Sequence, residues 1–123
     1  MQVYKFGGAS VKDTQSVRNV FSILEKTEKK DILIVISAMG KTTNALEEVV
    51  ESYFKDKNSS EQSLQKVKDF HYTIIDELFE DKNHPVYWKI DGLFGEITSF
   101  IERNTKNKEV GDDLSTDLIW YWC

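Results

Sequence analysis

The sequence predicts an α/β fold, with parallel β-strands flanked by helices and a mostly helical region after them. Three observations lead there. The first half runs strand, glycine loop, helix, strand, loop, helix. The second strand of that series, Ile32-Leu33-Ile34-Val35-Ile36, is a continuous aliphatic run, the pattern of a strand buried on both faces in a parallel sheet. In the second half, by contrast, apolar residues recur every three or four positions, which is the period of amphipathic helices.

The elements follow in order. Val3-Tyr4-Lys5-Phe6 is short and β-prone, and Gly7-Gly8 stops it. Asp13 or Thr14 caps a helix running to about Lys29, with Val17, Val20, Phe21 and Leu24 on one face. After Ile32–Ile36 comes a loop of small and polar residues, Ser37-Ala38-Met39-Gly40-Lys41-Thr42-Thr43-Asn44, and then a helix with Leu46, Val49, Val50, Tyr53 and Phe54 on its apolar side. Right-handed crossover makes the two strands parallel and opens both loops at one edge of the sheet, where ligands bind in open α/β sheets. Residues 55–62 read as a polar connector. A helix over 63–81 follows, its apolar side formed by Leu64, Val67, Phe70, Ile74 and Leu78. Asn83-His84-Pro85 breaks it, and Pro85 starts a further helix reaching about Asn104 through Ile90, Leu93, Phe94, Ile97 and Ile101. Thr105 to Glu109 is a charged turn, after which Gly111 to Thr116 opens a last apolar stretch containing Trp120, Tyr121 and Trp122.

Composition narrows the function classes. The chain has 123 residues, 40% apolar and 30% charged, the balance of a globular domain large enough for one core. Its net charge of −5 gives no footprint for a nucleic-acid backbone. No apolar stretch reaches membrane-spanning length, and the first residues lack a signal-peptide pattern, so a cytoplasmic protein is expected. The single cysteine, Cys123, excludes an internal disulfide framework, and no His, Cys or acidic set has metal-ligand spacing. His71 reads as a structural or surface histidine, His84 as a turn residue, and Glu47, Glu48 and Glu51 as a solvated helix face.

Two loops carry the candidate chemistry. In Lys5-Phe6-Gly7-Gly8-Ala9-Ser10-Val11, adjacent glycines let backbone N–H groups approach a phosphate, Ser10 adds a hydroxyl, Lys5 adds a point charge, and the helix starting near Asp13 adds its positive end. The lysine precedes the glycines, unlike that of a Walker loop, and the spaced dinucleotide fingerprint is absent. Taken alone, the same glycines serve a tight strand-to-helix turn equally well. The Ser37–Asn44 loop suits a small polar, charged ligand, yet alone it also reads as a capped turn that starts a helix.

Together the loops resemble the aspartate kinases of the amino acid kinase family. Lys5 to Val11 matches that family's Lys-Phe-Gly-Gly-(Thr/Ser/Ala)-Ser-Val motif throughout. Ser37, Ala38, Thr43 and Asn44 match Ser-Ala-x-x-x-x-Thr-Asn. Gly111, Ser115 and Thr116 match Gly-Glu-x-x-Ser-(Ser/Thr), with Asp112 in place of the glutamate. The resemblance implies a partial amino acid kinase fold over residues 1–123, the N-terminal part of a catalytic domain. It implies ATP, accompanied by Mg²⁺, and L-aspartate as the bound partners. It gives Lys5 the catalytic role and the phosphate contacts to Lys5, Gly7, Gly8 and Ser10, with no protein metal site. It places Ser37, Ala38, Thr43 and Asp112 at the aspartate site. It also implies an adenine pocket, further catalytic groups and dimer-forming regulatory domains in later sequence. The sequence ends inside an apolar segment with no cap after it, so the chain is expected to be an N-terminal fragment with little activity alone.

Overall fold

The computed structural model describes residues 1–28, 31–55 and 57–104. The expected charged turn at Thr105–Glu109, the Gly111–Thr116 motif with Asp112, the aromatic Trp120–Trp122 stretch and Cys123 lie outside the described residues. The chain divides into two compact units, one from Met1 to Thr42 and one beginning at Thr43.

The first unit holds strand β1 (Gln2–Phe6), a 3₁₀ turn (Gly8–Val11), helix α1 (Thr14–Glu25) and strand β2 (Ile32–Ile36). The strands pair in parallel, with Gln2 opposite Ile32, Lys5 opposite Val35 and Phe6 opposite Ile36. This is the βαβ arrangement expected from the sequence. Strand alternation puts Tyr4 and Phe6 on one face and Val3 and Lys5 on the other. The Tyr4–Phe6 face meets α1: Phe6, Val11 and Val20 are buried together, and Tyr4, Val17, Leu24 and Met39 pack around them.

Three details differ from the expectation. Phe21 is 61% exposed, because the stripe that reaches β1 is Val17, Val20 and Leu24, and Phe21 falls on its flank. Helix α1 ends at Glu25 rather than near Lys29. The Thr27 hydroxyl bonds the Ile23 carbonyl at 3.1 Å and pairs with the Tyr4 hydroxyl at 3.0 Å, and the Thr27 N–H bonds the Leu24 carbonyl, so the chain turns and fastens to β1. Every residue of β2 is exposed, from Ile34 at 36% to Ile36 at 52%, where burial on both faces was expected. The sheet among the described residues has two strands, and α1 packs on the face of β1.

The second unit carries α2, whose first residue closes the first unit (Thr42–Lys55), α3 (Lys57–Leu78) and α4 (Pro85–Asn104). Its core joins Leu46 and Val49 of α2, Leu64, Val67 and Ile75 of α3, and Ile90, Phe94, Ile97 and Ile101 of α4. Among the described residues, Phe94 is the largest of the fully buried side chains. Phe54 and Phe70, read from sequence as core-facing, are 46% and 36% exposed.

Residues 57–62, expected as connector, belong to α3. Ser60 is fully buried and the Ser63 hydroxyl lies 3.1 Å from that of Ser52. Small side chains let α2 and α3 approach closely there, and packing outweighs low helix propensity. Helix α3 stops at Leu78, short of the expected Asp81. The Asn83 N–H bonds the Asp81 carboxylate, His84 stacks on Phe79 with centroids 4.3 Å apart, and the Val86 N–H donates to His84 Nδ1. His84 is thus a turn and capping residue, with Pro85 at the first helical position, where its missing N–H costs nothing.

Candidate functional site

The candidate site is built at the C-terminal ends of the two parallel strands. Phe6, the last residue of β1, is 7% exposed and anchors that strand in the core. Its carbonyl accepts the Ser37 N–H at 2.9 Å, which ties the exits of the two strands side by side. Gly7 is extended (φ −76°, ψ 171°), and the chain then closes a single 3₁₀ turn in which the Ser10 N–H bonds the Gly7 carbonyl at 2.8 Å. The first residues of such a turn have no carbonyl behind them within it, so the N–H groups of Gly8 and Ala9 have no acceptor inside the turn.

The second loop packs on the first. The Gly40 N–H donates to the Gly8 carbonyl at 3.1 Å. A Cβ at Gly8 would lie 2.7 Å from the Gly40 carbonyl oxygen and 3.0 Å from that of Ala38. Only glycine allows that approach. Gly40 itself has φ 56°, in the left-handed region. The Thr42 N–H and hydroxyl then both bond the Met39 carbonyl, at 3.0 and 2.5 Å. The loop is therefore a hydrogen-bonded turn leading into α2, with Thr42 as the first helical residue, which is the turn reading open from sequence.

The sequence-derived residues fall as follows. Lys5 is exposed on the β1 face opposite Tyr4 and Phe6 and makes no ion pair with a described residue. Gly7, Gly8 and Ser10 form the 3₁₀ turn and its entry, with Ser10 exposed. Ser37 is exposed and Ala38 half-buried, and both lie directly against the glycine loop. Thr43, the second residue of α2, opens the second unit. Asp112 lies outside the described residues.

The positive end of α1 is engaged within the chain. The Asp13 carboxylate caps it by accepting the Ser16 N–H at 2.8 Å, and hydrogen bonds from Ser16 hold its carboxyl below the usual range. An anion at the glycine loop is therefore offered the N–H groups of the 3₁₀ turn, while Asp13 answers the α1 dipole. Sequence reasoning missed Gly40. It read that loop for hydroxyl and amide side chains, whereas the glycine carries the contact between the loops. The available signal was an isolated glycine inside a strand-exit loop.

Comparison with known proteins bears on the family and the fold. The model of the amino acid kinase family matches residues 1–108. The chain belongs to the amino acid kinase family. An aspartokinase of Chlamydia trachomatis is 31% identical over 122 residues, covering 98% of this chain and 27% of that protein. A chloroplastic bifunctional aspartokinase/homoserine dehydrogenase of Daucus carota is 32% identical over 80 residues, 64% of this chain and 9% of its own length. Among solved structures, E. coli aspartokinase III in complex with aspartate and ADP superposes with a TM-score of 0.78 at 23% identity, covering 99% of this chain and 26% of that one. That last likeness is one of fold, and it identifies the parallel strands and flanking helices as part of an amino acid kinase fold. The chain spans about a quarter of the length of the Chlamydia and E. coli proteins. Among the described residues, no helix is long and apolar enough to cross a membrane.

Proposed function

We propose that residues 1–123 are the N-terminal part of an aspartate kinase catalytic domain, one that transfers the terminal phosphoryl group of ATP to the side-chain carboxylate of L-aspartate and forms 4-phospho-L-aspartate. The observation that carries this reading is the hydrogen-bonded contact of the Gly7-Gly8 and Ser37–Thr42 loops at the exits of two parallel strands. Support also comes from family membership and from relatives named aspartokinase.

Phosphoryl transfer between two anions requires positioning and charge neutralisation more than covalent chemistry by the protein. In this reading the N–H groups of Gly8 and Ala9 and the Ser10 hydroxyl hold the terminal phosphates, and Gly7 leaves them room. Lys5, with no described ion-pair partner to compete, neutralises charge that builds on the transferring group. Ser37, Ala38 and Thr43 contact aspartate, and Asp112 takes its ammonium group. Mg²⁺ arrives with ATP as part of the substrate. The adenine pocket, further catalytic groups and dimer-forming regulatory domains belong to a longer protein, so residues 1–123 alone turn over slowly or not at all. A cytoplasmic location accords with this chemistry.

Asp112 favours a second reading, a non-catalytic α/β domain that retains a phosphate- or amino-acid-binding loop, because it shortens the acidic contact by one carbon–carbon bond. Action on glutamate, carbamate or a nucleotide fits less well with the Ser-Ala-x-x-x-x-Thr-Asn pattern. The test is aspartate-dependent ADP release by the full-length protein, with hydroxylamine trapping the acyl phosphate as a hydroxamate. Turnover with aspartate that is lost in Lys5→Ala supports the proposal. Nucleotide binding without turnover supports the non-catalytic domain.

A further inference from the structure

The backbone contact between the two loops has a consequence for how substrates meet. Gly8 belongs to the phosphate loop by position, yet its carbonyl is held by the Gly40 N–H, and its Cα is pressed against the Ala38 and Gly40 carbonyls with no room for a methyl group. Gly40 belongs to the other loop and reaches this position through a left-handed backbone, which L side chains rarely adopt. On its far side the turn is fixed by the two bonds from Thr42 to the Met39 carbonyl, and on its near side by the bond from the Ser37 N–H to the Phe6 carbonyl. The turn is held at both ends and touches the glycine loop in its middle, so neither loop can shift without the other.

We infer that Gly40 is a positioning residue: its left-handed turn locks the amino-acid loop to the phosphate loop and so sets the distance between the acceptor carboxylate and the transferring phosphoryl group. This rests on the aspartate kinase reading above. In this role Gly40 acts through the backbone of the glycine loop, by its N–H bond to the Gly8 carbonyl, and not through a substrate contact of its own. Each loop keeps its own donors when the lock is loosened, so both substrates still bind, and the alignment between them is what suffers. In-line transfer is sensitive to misplacement on the scale of an ångström.

The experiment compares Gly40→Ala and Gly40→Asn with the wild-type full-length protein. Alanine opposes the left-handed conformation, while asparagine tolerates it better than other non-glycine residues. The expected result for Gly40→Ala is a kcat lowered about tenfold to a hundredfold, with the KM values for ATP and aspartate each within about threefold of wild type. Gly40→Asn should recover most of that loss. Circular dichroism and melting temperature report whether each variant is folded, and amide hydrogen exchange at Gly40 should be slow in the wild type and faster in Gly40→Ala. Unchanged kcat in a folded Gly40→Ala overturns the inference, as does a change confined to one KM. Equal loss in both variants overturns the left-handed turn as its basis. A wild-type protein that shows no aspartate-dependent ADP release overturns the functional reading itself, and that failure appears before any variant is compared.

Discussion

A Cβ at Gly8 would meet the Gly40 carbonyl oxygen at 2.7 Å, whereas a Cβ at Gly7, the neighbouring glycine, meets nothing within 4 Å. Gly7 also has φ −76°, which any residue adopts. The fold therefore requires one glycine of the pair and leaves the other to whatever approaches from outside. Gly8→Ala should destabilise the protein by about 1–3 kcal/mol, because the displaced atoms are backbone and cannot swing aside. Gly7→Ala should change stability by no more than about 0.5–1 kcal/mol, with stabilisation expected, since alanine restricts the unfolded chain. ADP affinity should nevertheless fall in Gly7→Ala. Urea unfolding and ADP titration of both variants check this. Equal stability costs would refute the division of roles.

Substrate contacts separate in the same way. Under the proposed function, Lys5 bears on the chemical step, and Lys5→Ala should lower kcat by about a hundredfold to a thousandfold, the usual loss when one electrostatic contact to a transition state is removed. In the same proposal Asp112 bears on aspartate binding, since its proposed partner is an ammonium group remote from the breaking bond. Asp112→Ala should raise the KM for aspartate strongly. Asp112→Glu should lower it or leave it unchanged, with little movement of kcat. Steady-state kinetics on the full-length protein measure both. Full turnover in Lys5→Ala would remove Lys5 from the phosphate site, and an unmoved aspartate KM in Asp112→Ala would favour the non-catalytic reading.

The first unit was legible in the sequence because its signals are local. A short β-prone segment ended by Gly7-Gly8, a helical stripe after Asp13 and an aliphatic run at Ile32–Ile36 yield a parallel pair without knowledge of distant contacts. Asp13 was one of the two cap candidates, and it is the N-cap. What was missed depended on tertiary packing. The start of α3 reads as a connector because Asn58, Ser59 and Ser60 are poor helix formers, and only the burial of Ser60 and Ser63 explains why they are helical. Likewise, the aliphatic run of β2 predicts an environment that the described residues do not supply. Of the candidate site, the strand exits and the glycine turn could be read directly. The contact between Gly8 and Gly40 could not, because it is made by backbone atoms that carry no residue-type signature.

The second unit should depend most on Phe94. It is 1% exposed, with the rings of His71 and Tyr72 at centroid distances of 5.9 and 6.2 Å and the Lys68 ammonium 5.7 Å from its own centroid. Phe94→Ala should cost about 3–5 kcal/mol, the loss of a buried aromatic together with the cavity it leaves. Phe70→Ala removes a ring of the same size that is 36% exposed and should cost much less. Denaturant unfolding of the two variants gives the comparison, and similar losses would refute the placement of the core.

His71 gives the protein a pH dependence whose sign can be worked out. The ring is 4% exposed and lies edge-on to Phe70 and Phe94. Its Nδ1 is 2.7 Å from the Val67 carbonyl, which can only accept, so Nδ1 carries the proton in that bond. Burial disfavours the charged ring and pushes its pKa below the ordinary 6.5, and the bond to Val67 opposes that more weakly. The unfolded chain, with its histidine at the ordinary value, therefore begins to bind a proton at a pH where the folded chain does not. Where the unfolded state binds more protons, stability rises with pH. The contribution of His71 is thus complete above about pH 6.5 and is lost as the pH falls from there toward the lower folded value, with a slope of at most about 1.4 kcal/mol per pH unit. Asp13 and Asp76 act in a lower window. Their carboxyls are held below 3.8, Asp13 by Ser16 and Asp76 by Lys82 and Tyr87, so their stabilisation is present above 3.8 and lost as the pH falls below it. Urea unfolding at about pH 7.5, 6.5 and 5.5 isolates the histidine window. Stability should decline between the last two points, and His71→Gln should remove that part of the decline while lowering stability at all three. A profile in which His71→Gln keeps the wild-type slope would show that the buried ring does not set it.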